Sequence, residues 1–269
     1  MVDYNKYKAV IVEKDNRVAT VTLNRPNSLN AVNDDMGTDF DTLFRDLSSD
    51  EEIDAIILTG AGRAFCAGGD VKGMDARNAD AQRDFPMNPR DPGLLLNDIL
   101  DVQQPIIAAI NGDAIGLGAT IALFCDIQIA SETARLADTH VRIGVVAGDG
   151  GAVIWPPLIG PNRAKEFLMR GNLMNGAEAA RLGLVNYAVP AAEVMPKARE
   201  IARELADGPR WAIRWTKQSV NKLIKKALHQ VLDTSAALEA VTFATPQHRE
   251  AARAFVEKRK PNFRAPKTD

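Results

Sequence analysis

The chain has 269 residues, 46% of them hydrophobic and 25% charged, with a formal net charge of −2. Such a chain can bury a sizeable core over roughly one or two domains, and its near-balanced charge offers no global positive field to nucleic acid or an anionic membrane. Cys66 and Cys125 are the sole cysteines, the N-terminus lacks a signal-like apolar core, and no apolar run approaches the roughly 20 residues of a membrane helix. A cytoplasmic protein with reduced thiols is expected.

Residues 8 to 24 alternate in the manner of two short strands with Asp15-Asn16 as the turn, a β-hairpin entry. Arg25-Pro26 ends the second strand, and a helix is expected from Asn33 to Leu47, with Met36, Phe40, Leu43 and Phe44 on one face. A buried strand follows from Ile53 to Thr59. The small-residue segment Ala64 to Asp70 then implies that something sits close to the backbone, ahead of a short helix with Val71 and Met74. Asp75 to Gly93 shifts to Asp, Arg, Asn and Pro and reads as a mobile loop or a partly helical flap, with a pocket beneath it expected.

After a helix from Leu94 to Val102 comes the stretch that organises the rest. Pro105 to Ile110 is a buried strand, Asn111-Gly112 breaks it, and Gly116 to Asp126 reads as an apolar helix too short to span a membrane. Backbone N–H groups at that helix start lack intrahelical partners, and Gly116 and Gly118 permit close approach. An anionic oxygen near Leu117 is one occupant; a tight turn with no ligand is the other. Thr120 and Ile121 follow Ala119, so a dinucleotide G-x-G-x-x-G pattern is absent. Thr120 itself reads as a capping or packing hydroxyl.

Ile127 to Ala130 is another short strand, Ala134 to Asp149 is irregular, and Leu158 to Leu168 begins a helical second part. Alternating strands and helices predict a mostly parallel sheet with crossover helices. Four helices follow, over 194–206, 211–228, 229–244 and 246–258. Trp211 and Trp215, one turn apart, read as core or subunit-interface anchors. The run Lys222 to Lys226 reads as a solvated face, His229 and His248 as surface or core residues, and Cys66 as an apolar filler.

Three stretches, LNRPNSLNAV at 23–32, LTGAGRAFCAGGDVKGM at 58–74 and AAINGDAIGLGATIALFCDI at 108–127, together resemble the crotonase, or enoyl-CoA hydratase/isomerase, family. FVEKRKPNF at 255–263 resembles that family's ending. The resemblance implies an α/β fold, a crotonase-like ββα spiral core over residues 1–200, with a helical C-terminal trimerisation region over 201–269. It implies an acyl-CoA thioester substrate, no cofactor beyond the coenzyme A carried by the substrate, no metal, and a homotrimer or homohexamer. Nucleic acid and membrane are not expected partners. By the same resemblance the amides of Gly69 and Leu117 hold the thioester oxygen. Ala67, Asp70, Val71 and Lys72 line the adenine site, Asn27 and Ser28 form its opposite wall, and Phe255 and Lys258 reach the coenzyme of a neighbouring subunit. Lys72, Lys258 and nearby Arg25 suit phosphates.

The chain departs from the family at the two catalytic glutamates, which fall on Thr120 and His140. The segment 138–156, DTHVRIGVVAGDGGAVIWP, is similar to oxocamphor hydrolase and related β-diketone hydrolases, in which a His and an Asp spaced like His140 and Asp149 activate water. The resemblances therefore imply hydration of an enoyl thioester or retro-Claisen cleavage of a β-keto thioester, with His140 oriented by Asp149. A non-catalytic acyl-CoA-binding protein is the alternative from another class. An enoyl isomerase, or a dehalogenase-like enzyme using an aspartate at 148–150, is a third.

Overall fold

A computed structural model describes residues 2–70 and 92–264. Val71 and Lys72, the short helix holding Val71 and Met74, and most of the flap over 75–93 lie outside the described residues. The hairpin forms as expected, β1 (Val10–Asp15) pairing antiparallel with β2 (Val18–Leu23). Its connecting residues are Asn16 and Arg17, both at positive φ, one position beyond the expected turn. Two left-handed residues match the twist of the flanking strands, so the turn lies where both can adopt it. Helix α1 (Asp34–Ser49) is capped by Asn33, whose side chain accepts from the Met36 N–H, and two aspartates face the dipole in its first turn.

A two-strand step then repeats. β3 (Ala55–Gly60), β5 (Ile106–Ile110) and β7 (Ile127–Ser131) are each followed by a three-residue strand, β4 (Ala64–Cys66), β6 (Asp113–Ile115) and β8 (Arg135–Ala137). Helices α2 (Pro92–Asp101) and α3 (Leu117–Phe124) return the chain for the next step. The longer strands join a six-stranded sheet with β1, β2 and β10 (Tyr187–Val189), ordered β1-β2-β3-β5-β7-β10. The short ones form a second sheet with β9 (Met174–Asn175), ordered β4-β6-β8-β9. Only the pairs β1–β2 and β8–β9 are antiparallel among the described strands. The mostly parallel sheet is thus as expected, whereas the short strands escape the sequence reading because three residues carry no alternation.

Five helices complete the fold before the last: α4 (Gly151–Ile159), α5 (Pro161–Arg170), α6 (Gly176–Leu182), α7 (Val194–Asp207) and α8 (Arg210–Phe243), with α9 (Pro246–Val256) closing it. Ile56 and Leu58 point into the main core with Met36, Phe44, Phe65, Leu96 and Trp155. Ala55 and Ile57, on the opposite face, meet Val194, Ala198 and Ile201 of α7. Burial on both faces is why β3 and β5 read as continuous apolar runs.

Two helical expectations need correction. The single helix expected over 158–168 is two, broken at Gly160, whose φ is +82. The two helices expected over 211–244 are one 34-residue helix, since no Gly or Pro falls inside it. The boundary expected at residue 200 falls inside α7, and Leu228 and Leu232 of α8 join the main core. Arg210 and Arg214 converge on the buried Asp54 before β3, and Lys217 pairs with Asp126 at 2.7 Å, fixing the start of α8. Trp211 and Trp215 stack at 5.4 Å but are 53% and 61% exposed, so in a single chain they are not core anchors. Among the described residues no helix is long and apolar enough to cross a membrane.

Candidate active site

Two glycine turns come together because β4 and β6 run side by side in parallel, Cys66 opposite Ala114. The turn after β4 is Ala67-Gly68-Gly69; the turn after β6 is Gly116, opening directly into α3. Their packing is backbone on backbone. A Cβ at Gly118 would lie 2.2 Å from the Cys66 carbonyl oxygen, and one at Gly68 would lie 2.7 Å from that of Ile115 and 3.6 Å from the Leu117 nitrogen. Gly68 and Gly116 also have positive φ, so glycine is demanded by conformation as well as by space. Among the described residues, neither the Gly69 nor the Leu117 N–H donates to a carbonyl or side chain.

The loop before α1 braces the first turn. Val32 donates to the Gly68 carbonyl at 2.8 Å, Asp70 donates to Val32 at 3.1 Å, and Ala67 donates to Leu29 at 3.0 Å. Asn30, buried and at positive φ, fixes this loop by donating to the carbonyls of Ala61 and Ala64. The single turn Pro26–Ser28 is therefore carried to the segment with Ala67, Gly69 and Asp70, so four of the expected coenzyme-site positions, Asn27, Ser28, Ala67 and Asp70, occupy neighbouring loops. Arg25 faces Asp70 at 3.5 Å, an ion pair that any role with phosphate would have to loosen. Phe255 and Lys258 are exposed at the end of α9 and just beyond it.

The second half of the site is made of side chains. His140 opens a single 3-10 turn, Cε1 of its ring 3.6 Å from where a Cβ on Gly116 would stand. Nδ1 meets Oδ1 of Asp138 at 2.7 Å and Nε2 meets Oδ2 of Asp149 at 3.0 Å, with Glu239 Oε1 at 3.8 Å. All four residues are buried. Burial alone works against a charged ring, but the carboxylates of Asp149 and Asp138 outweigh it and hold the imidazolium well above the ordinary histidine range. Burial, reinforced by the charge of Asp149, pushes the Glu239 carboxyl up to about 8. Asp138, Asp149 and His140 have ligand-type atoms within 4.8 Å of one another. Both ring nitrogens already face carboxylates, so a cation there would have to break the ring's own pairing.

Asp138 as well as Asp149 faces the ring of His140, one carboxylate at each nitrogen. Of the two expectations for Thr120, packing is the one observed: the residue is fully buried, and its hydroxyl donates to Oδ1 of Asp149 at 3.1 Å. Glu239 was invisible to motif reading, yet a signal exists. It continues the buried stripe Leu228, Leu232, Ser235 along α8, and a carboxylate on a buried stripe is unusual unless paired. The helix is held against the site by close approach, since a Cβ on Gly148 would stand 2.4 Å from that of Glu239. His248, buried on α9, faces the Ile143 carbonyl oxygen at 2.8 Å and so tethers the turn that begins with His140.

Two sheets wound from repeated two-strand steps, with paired glycine turns beside a buried cluster of one histidine and three carboxyl groups, define the class as an α/β protein. The sequence model of the enoyl-CoA hydratase/isomerase family matches residues 13–266. A short-chain-enoyl-CoA hydratase of Clostridium acetobutylicum is 37% identical over 260 residues, covering 93% of this chain and 95% of that protein. A probable enoyl-CoA hydratase of Mycobacterium bovis is 36% identical, covering 96% and 98%. The crystal structure of an enoyl-CoA hydratase/isomerase from Mycobacterium paratuberculosis superposes with a TM-score of 0.85 at 34% identity, covering 91% of this chain and 97% of that one. The chain belongs to the enoyl-CoA hydratase/isomerase, or crotonase, family.

Proposed function

We propose that this chain uses water to cleave the carbon–carbon bond of a β-keto acyl-CoA thioester. The observation that carries this reading is the buried ring of His140, set between the carboxylates of Asp138 and Asp149 beside the Gly116 turn. Family membership supplies the acyl-CoA, and the amides of Gly69 and Leu117, free of partners among the described residues, supply two donors for its thioester oxygen.

Water beside the Asp149 carboxylate gives its proton to that group as its oxygen attacks the β-ketone. Charge gathering on the ketone oxygen is met by the imidazolium and the neutral Glu239 carboxyl. Collapse breaks the bond between the α and β carbons, and the electron pair passes into a thioester enolate held by the two amides. The proton taken from water returns to the α-carbon, leaving a carboxylic acid and a shortened acyl-CoA. Hydration of an enoyl thioester needs one oxyanion site, not two, and the additional donors at His140 and Glu239 therefore favour cleavage.

Hydration is the second reading, favoured by the hydratases among the relatives. Incubating the protein with a 2-enoyl-CoA and with linear and cyclic β-keto thioesters, and identifying products by mass spectrometry, separates the two. The expected result is acid plus shortened thioester. Hydroxyacyl-CoA as the sole product replaces this reading with hydration. Calorimetric CoA binding without any product, unaltered by His140→Ala, leaves a binding protein.

A further inference from the structure

Thr120 stands where the family carries one of its two glutamates, and its surroundings fix what it does instead. It lies in the first part of α3, fully buried. Its methyl group is confined on one side by Gly150, where a Cβ would come within 2.8 Å of Thr120 Cγ2 and within 2.7 Å of Leu96 Cδ1. A β-branched side chain in a helix has few rotamers, and with the methyl confined the hydroxyl is left aimed at Asp149 Oδ1, at 3.1 Å. The other carboxylate oxygen faces His140 Nε2 at 3.0 Å. An aspartate's terminal torsion is otherwise soft. Without the hydroxyl nothing among the described residues would hold Oδ1, and the carboxylate would turn under the pull of His140 alone.

Resting on the proposed role of His140 and Asp149, we infer that Thr120 is a positioning residue whose hydroxyl locks the Asp149 carboxylate with Oδ2 towards the imidazole and Oδ1 away from it. The residue replaces a catalytic carboxylate of the family with a hydroxyl that acts through a different one, on a loop 29 residues further along the chain. A buried hydrogen bond of this kind is strengthened by its low-dielectric surroundings.

The test compares Thr120→Val, which keeps the branched shape and removes the donor, with Thr120→Ser, which keeps the donor and removes the methyl. Both are made in the full chain and, for Val, also with Asp149→Asn. Thr120→Val is expected to lower kcat about 10- to 100-fold with KM little changed, the fold-change of one lost charge-assisted hydrogen bond. Thr120→Ser is expected to stay within about threefold of the parent, and Thr120→Val to cost nothing further beside Asp149→Asn, as for residues acting as one unit.

A second readout does not need turnover: the ring 15N signals of His140 shift in Thr120→Val and remain in place in Thr120→Ser. Unchanged kcat and unchanged ring signals in Thr120→Val overturn the inference. So does a Ser variant as impaired as Val, which would make the methyl packing decisive. If the parent protein converts no thioester, the proposed reaction fails, while the ring signals alone still decide the role of Thr120.

Discussion

The two halves of the site are built from different materials. The glycine turns after β4 and β6 are backbone on backbone, contributed by two neighbouring parallel strands, and side chains matter there chiefly by being absent. The cluster around His140 is the reverse: Asp138, Asp149, Thr120 and Glu239 come from four places in the chain and meet only as side chains. A backbone site is specified by what the chain can bend into, and so it is durable and shared across a family. A side-chain site is specified by a few atoms, and so it is where one member's chemistry parts from another's.

The sharpest way to break the comparison is at His140. His140→Ala leaves Asp138, Asp149 and Glu239 buried together without their cation. Turnover should fall about 10²–10⁴-fold, the contribution of a positioned proton-transfer group. Stability should fall by about 3–5 kcal/mol in denaturant melts, as when one partner is taken from a buried ion pair. An unchanged melt would mean that the carboxylates shed their charge freely and that the cluster has no electrostatic role.

Gly118→Ala attacks the other half. The added Cβ would stand 2.2 Å from the Cys66 carbonyl oxygen, which is backbone and cannot swing aside. Strand β4 and helix α3 must separate, and the Leu117 amide moves with the helix. A turnover loss of about 10²–10³-fold is expected, as for losing one oxyanion donor, with calorimetric binding of CoA itself largely kept. Full turnover in this variant would show the turns to be packing devices and leave the cluster as the whole of the site.

The same contrast governs what the sequence reveals. The turns are legible because glycine and small residues at Gly68, Gly69, Gly116 and Gly118 mark a constraint that acts over a few neighbours. Hairpin, α1, β5 and α3 are legible for the same local reason, through alternation, an Asn33 cap and apolar runs. His140 and Asp149 stand out in the sequence through a shared pattern, whereas Asp138, two residues from His140, does not. Nothing local tells an aspartate that orients a ring from one that caps a turn. Glu239 is hidden further, because the spacing predicts two helices where α8 is one, and the buried stripe that carries it is divided after residue 228. The short strands β4, β6 and β8 went unseen, and yet they are what set the two turns side by side.

Glu239→Gln has the smallest expected effect on turnover and sharpens the electrostatic half of the comparison. The folded chain holds the Glu239 proton up to about pH 8, whereas an unfolded glutamate releases it near its ordinary value of about 4.3. Because the folded value is raised, the associated stability is complete below the unfolded value and is lost as pH rises through about 8. His140 drifts the same way: the gain from its imidazolium is full below about 6.5 and fades as pH climbs through the raised folded value. Comparison with the parent isolates Glu239, since both proteins keep the histidine. Urea melts should coincide below about pH 4, separate progressively as pH rises towards about 8 and stay apart above it, with the Gln variant more stable by about 1–3 kcal/mol at pH 9, as expected where a buried unpaired charge is avoided. Turnover at neutral pH should stay within about tenfold, because the amide keeps the neutral shape and a donor for the developing oxygen charge. Melts that run parallel at every pH would mean that Glu239 titrates as an ordinary carboxyl. The imidazolium would then answer to Asp138 and Asp149 alone.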